Sequence, residues 1–296
     1  MRKFWIENVH GRLWDLAPKN AYDHRGSFMD KPTGLGIKTK IKSFEIENTF
    51  FIEDIEVSAQ TIGGALYFSD YKHFDAFVRF IGNVNTKQPL KFFYSTGTAT
   101  HANQLDRQWY KLVLINDLDK TEIDKKTGFL KCNVKFACLS RWKKDKDIVI
   151  ELSRHGDPLV YPFTYPYYYG SSSNLMVEID NEGNLPTACV IKIDAVTDTP
   201  YIRLIQNNQI VWQARYHLIV RAGHQLILDS SADKQEATLL NLTDGTRESV
   251  YYTGEKDYAF QNFVMIPTGK SQLLINAANL EFGQVRVEYS MQKELI

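Results

Sequence analysis

The chain has 296 residues, with 35 Lys/Arg against 35 Asp/Glu and a formal net charge of zero. That balance excludes a nucleic-acid coat, a polybasic membrane binder and a highly charged disordered chain. With 44% hydrophobic and 24% charged residues the composition is ordinary for a globular protein, and the length allows two domains at ~100–200 residues each.

Three Cys cannot all pair, which argues against a disulfide scaffold and for synthesis in a reducing compartment. At the start, Glu7 and Asn8 interrupt the apolar residues after Met1-Arg2-Lys3, so no signal peptide is expected. No apolar run approaches the ~18 residues of a membrane span, and a soluble protein is expected. Charge separates along the chain. Residues 1–152 hold 24 Lys/Arg and 19 Asp/Glu (net +5), and residues 153–296 hold 11 and 16 (net −5). Two bodies with different neighbours follow from that asymmetry.

In chain order, the first strand pattern is a β-rich run containing Ile52, Ile55, Val57 and Ala59 and ending at Gly63-Gly64. A helix follows, with Tyr71, Phe74, Phe77, Val78, Ile81 and Val84 at helical spacing. Ser69 or Asp70 caps its start, and Gly82 weakens its last turn. Strands are expected at Leu90–Tyr94 and Trp109–Leu114. The clearest is Leu130–Cys138, where Leu130, Cys132, Val134, Phe136 and Cys138 share one face and Lys131, Asn133 and Lys135 the other. Cys132 and Cys138 stand roughly 20 Å apart on such a strand and can neither bond nor share a metal. They are read as small core residues.

Residues 154–173, rich in Tyr and Pro, are read as an extended connector whose tyrosines pack on a domain or neighbour. Beyond them no helix is expected. Short alternating strands recur between turns, as in a sandwich or jelly roll. They include Leu175-Val177-Ile179, Cys189-Ile191-Ile193, Ile202-Leu204, Leu226-Leu228, Leu273–Ile275 and Val285-Val287-Tyr289. The longest is Ile210-Trp212-Ala214-Tyr216-Leu218. The expected domains are 1–153, a connector at 154–173, and 174–296.

Chemistry finds no support. His and Cys are scattered, with no CxxC or HxxH, and His217 and His224 lack a third ligand type nearby. Neither Gly34-Leu35-Gly36 nor Gly63-Gly64 opens a helix to cradle phosphate, and G-x-S-x-G is absent. The pairs Glu45/Glu47 and Asp54/Glu56 are read as solvated strand faces rather than a glycosidase pair. Lys38, Lys40 and Lys42, and the cluster Lys143, Lys144 and Lys146, are likewise read as solvated. No residue is nominated as catalytic, cofactor-binding or metal-binding, no cofactor is expected, and the chain is not expected to be an enzyme.

Several segments, in order, resemble one family. In the first half they are Gly34-Leu35-Gly36, Thr49-Phe50-Phe51, Ile62-Gly63-Gly64-Ala65-Leu66-Tyr67-Phe68 leading into Tyr71–Phe77, Leu90–Tyr94, Asp119–Ile123, and Leu130–Leu139 with Arg141-Trp142. In the second they are Asn181-Glu182-Gly183-Asn184, Thr199–Ile202, Asn262–Gly269 and Val285–Tyr289. Together they resemble the distal tail proteins of long-tailed, non-contractile phages of Gram-positive bacteria. Lys143 stands where the family usually has Tyr after the closing Trp142.

The resemblance implies a mainly β chain. Its N-terminal part is a β-sandwich or split barrel with one α-helix, similar to tail-tube subunits, and its C-terminal part a galectin-like β-sandwich. It implies a homohexameric ring at the virion tail tip, made in the host cytoplasm. The ring joins the major tail or tail-tube protein to a tail-associated lysin or tail fibre and to receptor-binding proteins. DNA is only passing cargo, and no membrane is bound. Residues 25–44 and 95–108 are nominated as inter-subunit arms, because both are polar stretches beside strands. The alternative is a cell-wall carbohydrate-binding module, with Trp212 as its best aromatic by type, although Trp212 alternates with Ile210 and Ala214 on a core face.

Overall fold

A computed structural model describes residues 3–16, 27–58, 60–82, 88–95, 109–152, 174–257, 259–278, 280 and 283–295. Among these residues the chain is mainly β with one α-helix, and it falls into two compact units, Met1–Lys144 with Lys293–Ile296, and Asp145–Gln292. The connector at 154–173 and nearly all of the arm nominated at 95–108 lie outside the described residues, as do Ala59 and Val84.

The first unit contains β1 (Lys3–Glu7), β2 (Leu13–Asp15), β3 (Ser27–Thr33), β4 (Thr39–Ile46), β5 (Thr49–Val57), β6 (Thr61–Phe68), α1 (Tyr71–Ile81), β7 (Leu90–Ser95), β8 (Trp109–Leu118) and β9 (Leu130–Cys138). Its main sheet is antiparallel, in the order β3-β6-β9-β8-β7-β1-β2. The sheet curls until the Met29 amide donates to the Leu16 carbonyl at 3.1 Å, without closing into a barrel. β10 (Trp142–Leu152) starts in this unit, where Lys143 pairs with Tyr110, and ends in the second.

β9 follows its sequence pattern. Leu130, Cys132, Val134 and Phe136 are buried, and Lys131, Asn133 and Lys135 are exposed. Gly63-Gly64, expected to end a strand, lies inside β6 instead. A Cβ on Gly64 would come 2.6 Å from Met29 Cε and 3.1 Å from the Asp30 carbonyl, so the bare backbone lets β3 pass close.

α1 covers the sheet with Phe74 and Phe77, which meet Phe68, while Trp14 packs edge-on against Phe77. Val78, placed in the apolar stripe by spacing, is exposed. Gly82 ends the helix rather than weakening it, its amide donating to the Val78 carbonyl. At the other end the Asp70 carboxylate accepts from the His73 amide at 2.7 Å. Asp70→Ala is expected to cost about 1 kcal/mol in urea unfolding, the worth of one N-cap; an unchanged midpoint would mean that the cap contributes nothing.

The second unit contains β11 (Asn174–Asn181), β12 (Thr187–Ala195), β13 (Thr197–Gln206), β14 (Gln209–Tyr216), β15 (Ile219–Val220), β16 (His224–Asp229), β17 (Glu236–Asn241), β18 (Arg247–Ser249), β19 (Gly254–Lys256), β20 (Met265–Ile266), β21 (Gly269–Ala278) and β22 (Gly283–Lys293), the last ending in the first unit. One antiparallel row runs β18-β17-β16-β12-β22, and another runs β11-β21-β13-β14-β19. Alternate residues of each row are buried: Ile191, Ile193, Val285 and Val287 in the first, and Val177, Ile179, Ile202, Leu204 and Ile275 in the second. The Tyr289 hydroxyl on β22 donates to the Asp180 carbonyl on β11 at 3.0 Å, tying the rows together.

Two of the segments that carry the family resemblance meet here. The buried Asn181 amide donates to the carbonyls of Leu185 at 3.0 Å, Pro267 at 3.2 Å and Ile266 at 3.4 Å. A buried amide with several acceptors fixes the course of two loops, so this Asn has a structural role. Ile210 is exposed although it alternates with Trp212, because the register between β13 and β14 shifts at Leu204/Ile205. No helix among the described residues is long and apolar enough to cross a membrane.

Candidate functional site

β4 and β5 form a two-stranded sheet of their own, joined by the two-residue turn Glu47-Asn48. Both turn residues have positive φ, 49° and 64°, as a tight hairpin turn matching strand twist requires. Every residue of both strands is exposed. At the root, the Ser58 amide donates to the Lys38 carbonyl at 2.9 Å. Eight residues at ~3.4 Å each carry the tip on the order of 27 Å along the strand axis.

Pairing assigns the faces. Thr39 opposes Val57, Lys40 opposes Glu56, Ile41 opposes Ile55, and Lys42 opposes Asp54. A bulge then leaves Glu53 unpaired, and Ser43 opposes Ile52, Phe44 opposes Phe51, and Glu45 opposes Phe50. One face therefore carries Ile41, Ile55 and Val57 near the root and Ile52 and Phe50 near the tip. The other carries Lys40, Lys42, Asp54 and Glu56 near the root, and Phe44 and Phe51 near the tip. Lys42 bridges Asp54 at 3.4 Å and Glu56 at 2.5 Å, and Phe44 stacks on Phe51 at 5.7 Å between centroids.

Large apolar groups stay in water here: Phe50 is 72% exposed and Ile52 64%, with Ile41, Phe44, Ile46, Phe51 and Ile55 each near half. Side chains of this size leave on the order of 600–800 Å² of apolar surface uncovered. Summed over the two faces, that approaches one partner's share of a standard interface, about 800 Å². Charge singles out the same segment. Thr39–Val57 holds two Lys against five Asp/Glu, net −3, whereas the rest of residues 1–152 holds 22 Lys/Arg against 14 Asp/Glu, net +8. An acidic, greasy ribbon springs from a basic body.

This segment overlaps the arm nominated at 25–44 but is differently bounded. Residues 27–33 belong to β3 within the main sheet, and the projecting part begins at Thr39 and includes β5, which was not nominated. Of the acidic pairs, Glu47 sits in the turn rather than beside Glu45, and Asp54 and Glu56 share a face as partners of Lys42. Lys143, Lys144 and Lys146 lie in β10, with Lys144 5.9 Å from the Trp109 ring centre.

In the second unit His217 pairs with Glu255 at 3.2 Å, and His224 Nδ1 lies 3.4 Å from the Ala222 carbonyl. Trp212 is buried and donates its indole N–H to the Gln261 carbonyl at 3.0 Å, so it presents no face to a sugar. Nearby, Arg203 and Arg215 both lie over the Tyr201 ring, at 4.9 and 4.7 Å. All three Cys are free. Burial raises each thiol above its ordinary range, that of Cys189 to about 12.

Residues 3–139 match the family model described as "Distal tail protein, N-terminal domain". The whole chain is similar in structure to a chain of the phage P2 baseplate in its activated conformation with Ca, at 14% identity, TM-score 0.57 and 100% coverage of both chains. The same baseplate with Sr gives 13% identity, TM-score 0.57 and 100% coverage of both. The Dit protein of phage SPP1, described as a paradigm of the hub adsorption apparatus in phages infecting Gram-positive bacteria, gives 10% identity, TM-score 0.58 and 98% coverage of both. At such identities the likeness is one of fold. No curated protein sequence matches the chain. Residues 3–139 are thus identified as a distal tail protein N-terminal domain.

Proposed function

We propose that this chain is a non-enzymatic structural hub of a phage tail tip, a ring of six copies around a channel through which DNA passes. One side of the ring meets the tail tube, and the other a tail-associated lysin or fibre. Residues 1–153 form the ring, and 174–296, reached through the connector at 154–173, point outward to adhesion components. The match of residues 3–139 to the distal tail protein N-terminal domain supports the reading. The observation that carries it is the hairpin β4–β5, an apolar arm left uncovered by its own chain. A ring needs a contact joining two different patches of each copy, and a projecting arm supplies one of them. Main-chain groups along the arm's edges are also open to strand pairing.

Mass in solution tests the proposal. A species near six times 34.2 kDa is expected by analytical ultracentrifugation of the full chain. A monomer up to the solubility limit would set the ring aside. The carbohydrate-binding alternative has less behind it. Trp212 is enclosed, and the two guanidinium groups over Tyr201 compete for the ring surface on which a sugar would stack.

A further inference from the structure

We infer that the hairpin engages a second copy of this chain in two distinct ways: its distal half is enclosed on both faces, while its root lies on that copy by one face only. The inference rests on the ring reading above and goes beyond it by assigning each face its environment.

The bulge at Glu53 divides the hairpin into two differently patterned parts. On the root side of Glu53 the ribbon is amphipathic, with Ile41, Ile55 and Val57 on one face and the Lys42–Asp54–Glu56 cluster on the other. A ribbon patterned in this way rests on a surface and keeps its charged face in water. Beyond the bulge the pattern changes. Ile52 and Phe50 occupy one face, and Phe44 and Phe51 the opposite one. Aromatic side chains on both faces cannot all be covered by a flat surface; they need a slot with two walls. The bulge sits at the changeover, where extra twist re-aims the tip.

Charge selects the occupant. The hairpin carries −3 and the remainder of residues 1–152 carries +8, so the arm of one copy is drawn to the body of another. A lipid surface fits poorly, because Glu45, Glu47 and Glu53 ride with the tip aromatics and would be driven into the headgroup region.

Four single variants of the full chain test the inference, each at an exposed position: Phe50→Ser and Phe44→Ser on opposite tip faces, Ile41→Ser on the apolar root face, and Lys42→Gln on the charged one. Sedimentation equilibrium reads the assembly, and thermal unfolding checks the fold. Phe50→Ser and Phe44→Ser should each weaken assembly by at least about tenfold, as buried anchors do. Ile41→Ser should weaken it by about fivefold or more, and Lys42→Gln by less than about twofold, as rim charges do. If Phe44→Ser behaves like Lys42→Gln, that face is open along its whole length and the inference falls, while the ring reading stands. If the unsubstituted chain never assembles, the ring reading itself falls. Flotation of the unsubstituted chain with phosphatidylglycerol vesicles, with every variant keeping the parent's solution mass, would make lipid the occupant and overturn the inference.

Discussion

A variant in which a Gly-Ser turn replaces Lys40–Glu56 is expected to remain folded and to run as a monomer at every accessible concentration. Folding should survive because the hairpin is its own sheet, with no strand of the main sheet paired to it. The segment lends nothing to the first core, where Phe68, Phe77, Phe92, Phe136 and Trp142 are fully enclosed. Its root is already closed by the backbone bond from Ser58 to Lys38. Substitutions away from a core and its networks cost within about 0.5 kcal/mol, so the unfolding midpoint should barely move.

Assembly should be lost completely, because the deletion removes nearly all of the chain's exposed apolar ribbon. A two-stranded ribbon is only marginally stable in water by itself, so natural selection of one this apolar implies a partner that completes it. Sedimentation velocity of the parent and the shortened chain decides the matter. If both run at the same assembled mass, the hairpin is not the arm, and another surface must close the ring.

What the amino-acid pattern revealed, and what it hid, follows from how many faces each strand buries. β9 has one face in the core and one in water, so its alternation was plain. Trp212, Ala214 and Tyr216 of β14 were legible for the same reason. β1 escaped notice. Phe4 and Ile6 enter the main core, while Trp5 packs on the other side with Phe93 and Tyr110, so Phe4-Trp5-Ile6 shows no alternation. Gly63-Gly64 looked like a terminator because a close strand approach and a turn ask for the same residue.

The hairpin was hidden by its own design. Apolar residues at 50, 52, 55 and 57 share one face only once Glu53 is counted as a bulge, and Phe51 lies on the other. β4 interleaves Lys40 and Lys42 with Ile41 and reads as a polar stretch. A nearby signal was available in the turn: Glu47-Asn48 lies between two β-prone runs, and Asn tolerates the left-handed backbone that the turn needs. The resemblance to distal tail proteins was legible from order and spacing, and much of what carried it, such as Asn181 and Gly63-Gly64, specifies loops and strand contacts rather than a reactive site.

The second large effect is expected at Gly34, where Ala should cost about 3 kcal/mol or more, set against a near-neutral Gly36→Ala two residues on. Gly34 has φ +76°, and a Cβ built there lies 1.9 Å from the Thr61 carbonyl oxygen and 2.9 Å from its carbon. Both obstructing atoms are backbone at the first residue of β6, so no side chain can swing aside. Relief would require β6 to retreat from β9, where Thr61 pairs with Ala137 and the Cys138 amide donates to the Gln60 carbonyl at 2.9 Å. Otherwise the path from β3 into the hairpin must change, pulling Leu35 from its contact with the first core. Gly36 meets nothing within 4 Å. Urea unfolding of the two variants separates strain from mere loss of a glycine; equal midpoints would show that the crowding at Thr61 relaxes freely. Because Gly34 also aims the arm, a folded fraction of Gly34→Ala should assemble less well than its stability alone dictates, whereas Gly36→Ala should assemble like the parent.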